Sequence, residues 1–192
     1  MESEHAIGGR PVGPGHPTYV IAELSANHQG QLDRAVELIG LAADAGVDAV
    51  KFQTYTPSTM TLDLDRPPFV IGPGTVWAGR RLYDLYDEAQ TPWEWHDALF
   101  EAARAAGIDA FSTPFDASAV DFLDRFDPPA YKIASFELLD LDLIARAASR
   151  GRPLIISTGM ASVAEIDDAV HTARDAGAAS VILLRCNSAY PA

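Results

Sequence analysis

The sequence predicts an α/β fold built on parallel strands, and three observations carry that prediction. Short apolar runs alternate with amphipathic stretches of helical period. Polar and charged residues follow one apolar run after another, as they do where sites form on the strand ends of a barrel. No Gly-x-Gly-x-x-Gly follows the first run, so an open dinucleotide-binding sheet loses support. The expected architecture is a TIM-type (β/α) barrel, incomplete, with about six of its eight βα units in these 192 residues.

Taken in order, residues 1–17 are rich in Gly and Pro and lack an apolar signal-peptide core, so no export is expected. The first strand is expected at 19–22. Leu32, Ala35, Val36, Ile39 and Ala43 then share a helical face, and Gly46 stops that helix. A second strand is expected at 49–52. The stretch 54–90 is too long for an ordinary connection. It holds Pro67-Pro68, Gly72-Pro73-Gly74 and a short helix at Leu82–Ala89, and reads as an insertion over the mouth of the barrel. Trp77, Tyr83, Tyr86, Trp93 and Trp95 are expected to form the core of that insertion, with a sugar-binding lid as the sharper alternative.

Thr91-Pro92-Trp93-Glu94 reads as a capping box with Pro at the first helical position, opening a helix that ends at Gly107. A strand at 109–112, a helix at 116–126, a strand at 130–133 and a helix at 140–150 follow. The fifth strand is expected at Leu154–Ser157. Ser162 and Glu165 form a second capping box, after which Val163, Ile166, Val170 and Ala173 recur at helical spacing up to Gly177. The sixth strand is expected at Val181–Leu184.

The net charge of −13 argues against nucleic acid or an anionic membrane as partner. Any anionic substrate must then be held by local positive charge. No apolar run is long enough to span a bilayer. A single cysteine, Cys186, permits no internal disulfide, and the cytoplasm is the expected location.

The chain has two lysines, Lys51 and Lys132, against twelve arginines. Each lies in an apolar run that opens into a polar cluster, Gln53-Thr54-Tyr55-Thr56 or Ser135-Phe136-Glu137. A compact ammonium at such an address suits a phosphate or carboxylate; deprotonated, it forms a Schiff base. The plainer alternative is two exposed lysines on strand rims. Glu23 to His28, Ser112 to Asp116, Ser157 to Met160 and Cys186 to Pro191 close the other strands. If the strands are parallel neighbours, all six clusters face one rim. Two amines and several hydroxyls there make an anion cradle, and Glu23 and Glu137 add carboxylates for acid–base work or sugar binding.

Taken singly, Ser112-Thr113 and Ser157-Thr158 read better as helix N-caps, and the two glutamates could be surface charges. His28 stands at a strand end, whereas His96 and His171 are expected to face solvent from helices. No His/Cys/Asp set has metal-ligand spacing. Cys186 reads as a small core residue rather than a nucleophile.

In this order, segments 22–28, 50–55, 112–116, 131–137, 156–160 and 186–191 resemble the sialic acid synthase family. Gly74-Thr75-Val76-Trp77-Ala78-Gly79, with Leu82 to Tyr86 and Thr91 to Trp95, is similar to its pseudaminic acid branch. An asparagine that helps bind the sugar in the neuraminate-forming branch is absent near Trp77. The resemblance implies condensation of phosphoenolpyruvate with an N-acetylated amino-sugar, giving a nonulosonic acid of the pseudaminic type and phosphate. N-acetylneuraminate synthesis, or an inactive fragment that binds phosphorylated ligands, is the alternative; a Schiff-base aldolase is a more distant one.

The resemblance also implies roles. Lys51 and Lys132 would hold the phosphate and carboxylate of phosphoenolpyruvate, with hydrogen bonds from Thr113, Ser135, Ser157 and Ser188. Gln53 and Tyr190 would contact the sugar, and Glu23 and Glu137 would flank the reacting carbons. A divalent metal, Mn or Mg, would polarise the sugar aldehyde, its two histidine ligands lying outside this chain. A homodimer and a C-terminal antifreeze-like domain are expected of the complete enzyme. On that basis residues 1–192 are expected to be the N-terminal portion of the synthase barrel. Alone it would be catalytically silent and C-shaped, with a gap between its first and sixth strands.

Overall fold

A computed structural model describes residues 5–186. It begins with an element that the sequence reading passes over as a leader. His5–Ile7 (β1) and Arg10–Val12 (β2) form an antiparallel hairpin. Gly8 and Gly9 make its turn, both at positive φ, which matches the twist of the flanking strands. Three-residue strands, one containing Pro11, are too short to show an alternating pattern, so this hairpin leaves no strand signature in the sequence.

Six parallel strands follow, each expected from its apolar run. Ile21–Glu23 (β3), Ala49–Thr54 (β4) and Asp109–Pro114 (β5) form one sheet in that order. Tyr131–Ile133 (β6), Leu154–Ser157 (β7) and Val181–Leu184 (β8) form a second. Helices fill the connections: Leu32–Asp44 (α1), Pro57–Met60 (α2), Leu82–Ala89 (α3), His96–Ala105 (α4), Ala117–Asp124 (α5), Leu141–Ala148 (α6) and Val163–Asp175 (α7). The main core lies between strands and helices, where Ile39, Phe52, Leu123, Ile133, Ile144 and Ile156 are fully enclosed.

The helix starts sort the capping expectations. Ser162 and Glu165 make both bonds of a capping box at α7. α5 is capped by Asp116, whose Oδ1 accepts from the Ser118 and Ala119 amides at 2.7 and 3.2 Å. Ser112, Thr113 and Ser157 are therefore strand residues and not caps, which corrects the reading of each taken alone. The expected Thr91–Glu94 box is not made. Pro92 itself takes the cap position before a single 3-10 turn, Trp93–Trp95, and the Thr91 hydroxyl turns to His28.

Two apolar faces also differ from expectation. On α1 the buried stripe runs through Ala35 and Ile39, and Val36 falls beside it, 38% exposed. Val163 is the first residue of α7, lies beyond the core and is 84% exposed; Ala169 and Ala173 carry the buried face instead.

His96 corrects the expectation of a solvent-facing histidine: it is completely buried. Its ring lies among Phe52, Phe100, Phe122 and Phe126, with centroids 5.1 to 6.4 Å away. Nδ1–H donates to the Pro92 carbonyl at 3.3 Å, so Nε2 is the acceptor for the Thr54 hydroxyl at 2.8 Å. Thr54 is bonded in turn to Ser112 Oγ at 2.7 Å. Burial pushes this imidazole down to about 4, against the opposing pull of the Pro92 and Trp93 carbonyls.

The sign of the resulting pH effect follows. Below its ordinary value of 6.5 the unfolded ring takes up a proton that the folded ring refuses until about 4. Its contribution to stability is thus complete above 6.5 and is lost as pH falls toward 4, a loss on the order of 3 kcal/mol. Urea unfolding of the wild type and His96→Gln should differ in pH slope by about one proton between pH 6 and 5. Equal slopes would exclude a buried neutral imidazole. His171, by contrast, lies on an exposed face of α7 as expected.

Candidate active site

Side chains alternate across β4. Phe52 and Thr54 meet α4, so Lys51 and Gln53 project from the opposite face. On that opposite face Ala49, Phe111, Ala130 and Ile155 pack around Ile7 of the hairpin and form a floor. Two residues further along each strand, on the same face, stand Lys51, Thr113, Lys132 and Ser157. Strand register adds Glu23 directly opposite Lys51, and Gln53 opposite Thr113. The residues that the sequence places at strand ends therefore form one layer above an apolar floor.

Within that layer the Lys51 ammonium pairs with Glu23 and donates to Thr113 Oγ1 at 3.3 Å. Lys132, 7% exposed, donates to Ser157 Oγ at 2.5 Å and to the Ile133 carbonyl at 2.7 Å. Burial, and then the charge of Lys132, push Lys51 down to about 7; the adjoining Glu23 carboxylate opposes that drop. Burial pushes Lys132 down to about 8, against Cys186 and Glu137. Each lysine is thus close to losing its proton near neutral pH, and an anion placed between them would restore both charges. The rim-lysine alternative fails because Lys132 is buried and the Lys51 side chain is only 13% exposed.

Ser135 Oγ accepts the Gly159 amide at 3.1 Å, tying the loop after β6 to the loop after β7. Glu137 follows in a 3-10 turn, Glu137–Leu139. Burial raises its pKa, and among the described residues its Oε2 meets no hydrogen-bond partner. It is a partly enclosed carboxyl rather than a surface charge. Ser188 and Tyr190 lie outside the described residues.

A cavity of about 840 Å³ opens beside this layer. Strand-end residues Gln53 and Tyr55 line it together with Ser25 and Gln29, and Ile71, Trp77, Leu82 and Tyr86 of the 54–90 stretch close it. The aromatic group divides in a way the sequence does not show. Trp77 is half-exposed on the cavity, whereas Trp93 packs on Phe122 and Trp95 meets His28 edge-on in the body of the domain. Trp93 and Trp95 are therefore not insertion core. Cys186 is also corrected: it is only partly buried and lies beside Lys132, Ser135 and Ser157. Burial would raise its thiol, but hydrogen bonds from Ser157 and Ser135 and the Lys132 charge bring it below the usual range. Gln29 escapes sequence reasoning, and Ser25 is read only as part of the Glu23–His28 cluster, because their left-handed φ of 52° and 44° has no sequence marker.

The NeuB family profile matches residues 38–192 of this chain. The chain belongs to the NeuB family. Among its NeuB relatives, the pseudaminic acid synthase of Helicobacter pylori is 47% identical over 175 residues, covering 91% of this chain and 51% of the relative. The pseudaminic acid synthase of Campylobacter jejuni is 46% identical, covering 90% and 50%. The chain spans about half the length of the curated relatives it matches. Among solved structures, the N-acetylneuraminic acid (sialic acid) synthetase of Leptospira borgpetersenii superposes with a TM-score of 0.85 at 30% identity, over 99% of this chain and 61% of that one.

The divalent ion implied by the sialic acid synthase resemblance does not fit the described residues. No three His, Cys, Asp or Glu side chains stand together among them. Glu23 is committed to Lys51 and to the Ser25 amide, and the His28 ring to Gly30 and Thr91. No helix is long and apolar enough to cross a membrane among the described residues.

Proposed function

We propose that this chain carries the phosphoenolpyruvate cradle and part of the sugar pocket of a pseudaminic-acid-type synthase. The observation that carries the reading is the pair of lysines on one face, Lys132 buried and Lys51 largely so, each with a hydroxyl partner, above an apolar floor. Lys51 and Lys132 hold the carboxylate and phosphate of phosphoenolpyruvate, with hydrogen bonds from Thr113, Ser157, Ser135 and, on the resemblance, Ser188. The Lys51–Glu23 pair occupies the cradle until the anion arrives; the anion takes the ammonium, and Glu23 turns to the sugar. Gln53 projects on the Lys51 face toward the cavity, the place for an amino-sugar, with Tyr190 as a further contact.

In the reaction, the methylene carbon of phosphoenolpyruvate bonds to the aldehyde carbon, whose oxygen gains a proton. Water adds to the former enol carbon, and phosphate leaves by carbon–oxygen cleavage. Glu137, with its raised pKa, is suited to hold the proton that moves in these steps. The ligands of a divalent Mn or Mg ion come from the rest of the protein on this reading, as does a homodimer contact, and the location is the cytoplasm. A Schiff-base aldolase using Lys51 or Lys132 predicts a covalent adduct; borohydride with a carbonyl substrate would trap it, and the synthase reading expects no adduct.

We also propose that the six parallel strands and the helices that follow five of them are part of a larger barrel. Among the described residues β3 pairs only with β4 and β8 only with β7, and Val20, Leu183 and Leu184 are 46%, 45% and 37% exposed. Strand edges and apolar side chains of this kind call for further strands. The 192-residue chain alone is expected to release no phosphate from phosphoenolpyruvate and amino-sugar.

Sugar choice gives a direct test. Ile71, Trp77, Leu82, Leu85 and Ala89 make one side of the cavity apolar. That wall suits a 6-deoxy diacetamido sugar, with a terminal methyl, over N-acetylmannosamine, with a hydroxymethyl. A preference of roughly 10- to 100-fold in kcat/KM is expected, the scale on which an apolar pocket discriminates. Competition between the two sugars on the complete protein measures it. Preference for N-acetylmannosamine would move the assignment to the neuraminate branch.

A further inference from the structure

We propose that His28 is a positioning residue: it bolts the strained loop between β3 and α1 in the shape that walls the amino-sugar cavity. This rests on the assignment of that cavity to the sugar. Four loop residues, Ser25, Ala26, Gln29 and Gly30, line the cavity. Ser25 and Gln29 are held at φ 44° and 52°, a region that residues other than glycine rarely adopt. Such a conformation persists only where the surroundings enforce it.

His28 lies between these two residues, is 2% exposed and does not line the cavity. Its ring bonds in two directions. The Gly30 amide donates to Nδ1 at 3.0 Å, and an amide can only donate, so Nδ1 carries the lone pair. Nε2 then carries the proton and faces the Thr91 hydroxyl at 3.4 Å. Trp95 meets the ring edge-on at 5.3 Å. Both Thr91 and Trp95 precede α4, so the imidazole joins the loop to a separate element.

Backbone bonds close the loop's own turns, from the Asn27 amide to the Leu24 carbonyl, from Gln29 to Ala26 and from Gln31 to His28, at 3.0 to 3.1 Å, but none of them joins the loop to another element. Arg34 of α1 reaches the Asn27 carbonyl and Gln29 Oε1, both at 3.0 Å, from an exposed position. The Ser25 amide donates to Glu23 Oε1 at 3.0 Å within the loop's own approach. The His28 ring, itself 2% exposed, takes the Gly30 amide in a part-buried bond and links the Gln29–Gly30 turn to Thr91 from inside. It also explains why Thr91 caps no helix: its hydroxyl is used for the loop.

Three variants of the complete protein test this. His28→Leu removes the acceptor, and His28→Asn keeps one, because its side-chain oxygen takes the place of Nδ1. Thr91→Val removes the second partner. With His28→Leu, hydrogen exchange of amides 25–30 is expected to quicken about tenfold or more, and the KM for the sugar to rise by about tenfold, with the KM for phosphoenolpyruvate nearly unchanged. His28→Asn should recover most of both losses, and Thr91→Val should give a smaller loss of the same kind.

Exchange at 25–30 that stays as in the wild type in a folded His28→Leu protein would overturn the proposal. So would an equal rise of both KM values, the mark of general damage. If His28→Leu does not fold, the comparison of His28→Asn with Thr91→Val decides, and no loss from Thr91→Val overturns the bolt. Faster exchange in a protein whose wild type turns over no amino-sugar would overturn the functional assignment of the cavity and, with it, the sugar-specific part of this proposal.

Discussion

Lys132→Ala in the complete protein is expected to weaken phosphoenolpyruvate binding by at least about 2 kcal/mol, roughly 30-fold, and Lys51→Ala by a similar amount. Lys132 is almost enclosed, so an anion meeting its ammonium forms a desolvated, charge-assisted contact that water cannot replace. Lys51→Ala would remove the counter-charge of Glu23 as well and leave that carboxylate facing an anionic substrate. The two lysines stand at about 7 and 8 before ligand arrives. An anion between them raises both, so binding near pH 7.5 should be accompanied by proton uptake. Calorimetry in buffers of different ionisation heat measures affinity and uptake together. Unchanged affinity in both variants would remove the anion cradle from the account; uptake of no protons would remove the depressed lysines.

Ile7→Ala is expected to destabilise the fold by about 2–4 kcal/mol, the usual cost of emptying a buried isoleucine site. Ile7 is 2% exposed and fills the floor between Ala49, Phe111, Ala130 and Ile155. The two sheets share that floor, so its collapse would loosen the lysine layer directly above. Gly8→Ala should act in the same direction. A Cβ there would lie 2.2 Å from Asp109 Oδ2, at a φ of 57° that already disfavours alanine. Urea midpoints at constant slope measure both variants. A cost for Ile7→Ala below about 1 kcal/mol would mean that the hairpin only rests against the sheets.

The parallel strands were legible because strands covered on both faces read as continuous apolar runs. The reading stopped short at Gln53-Thr54 on β4 and at Thr113-Pro114 on β5, since polar residues carry those strands on into the site. Lysine scarcity found Lys51 and Lys132, and register then set Glu23, Gln53 and Thr113 around Lys51. What stayed hidden depends on contacts distant in sequence. His96 reads as a polar helix residue until Thr54, 42 positions away, comes to meet it, held in turn by Ser112, 58 positions from Thr54. Cys186 reads as core because nothing in the sequence shows how close the end of β8 comes to Lys132. Thr91-Pro92-Trp93-Glu94 has the letters of a capping box, but a tertiary partner for Thr91 outweighs the local bond.

The hairpin floor gives the molecule two unlike ends for anyone attaching something to it. Gly8 sits against Asp109, the first residue of β5, and Arg10 pairs with Asp48 just ahead of β4, so the hairpin turn lies where the strands begin. Cys186 stands where they finish, beside Lys132. A dye or a surface tether on an Arg10→Cys side chain would hang on the far side from the lysines. The same group on Cys186 would crowd them.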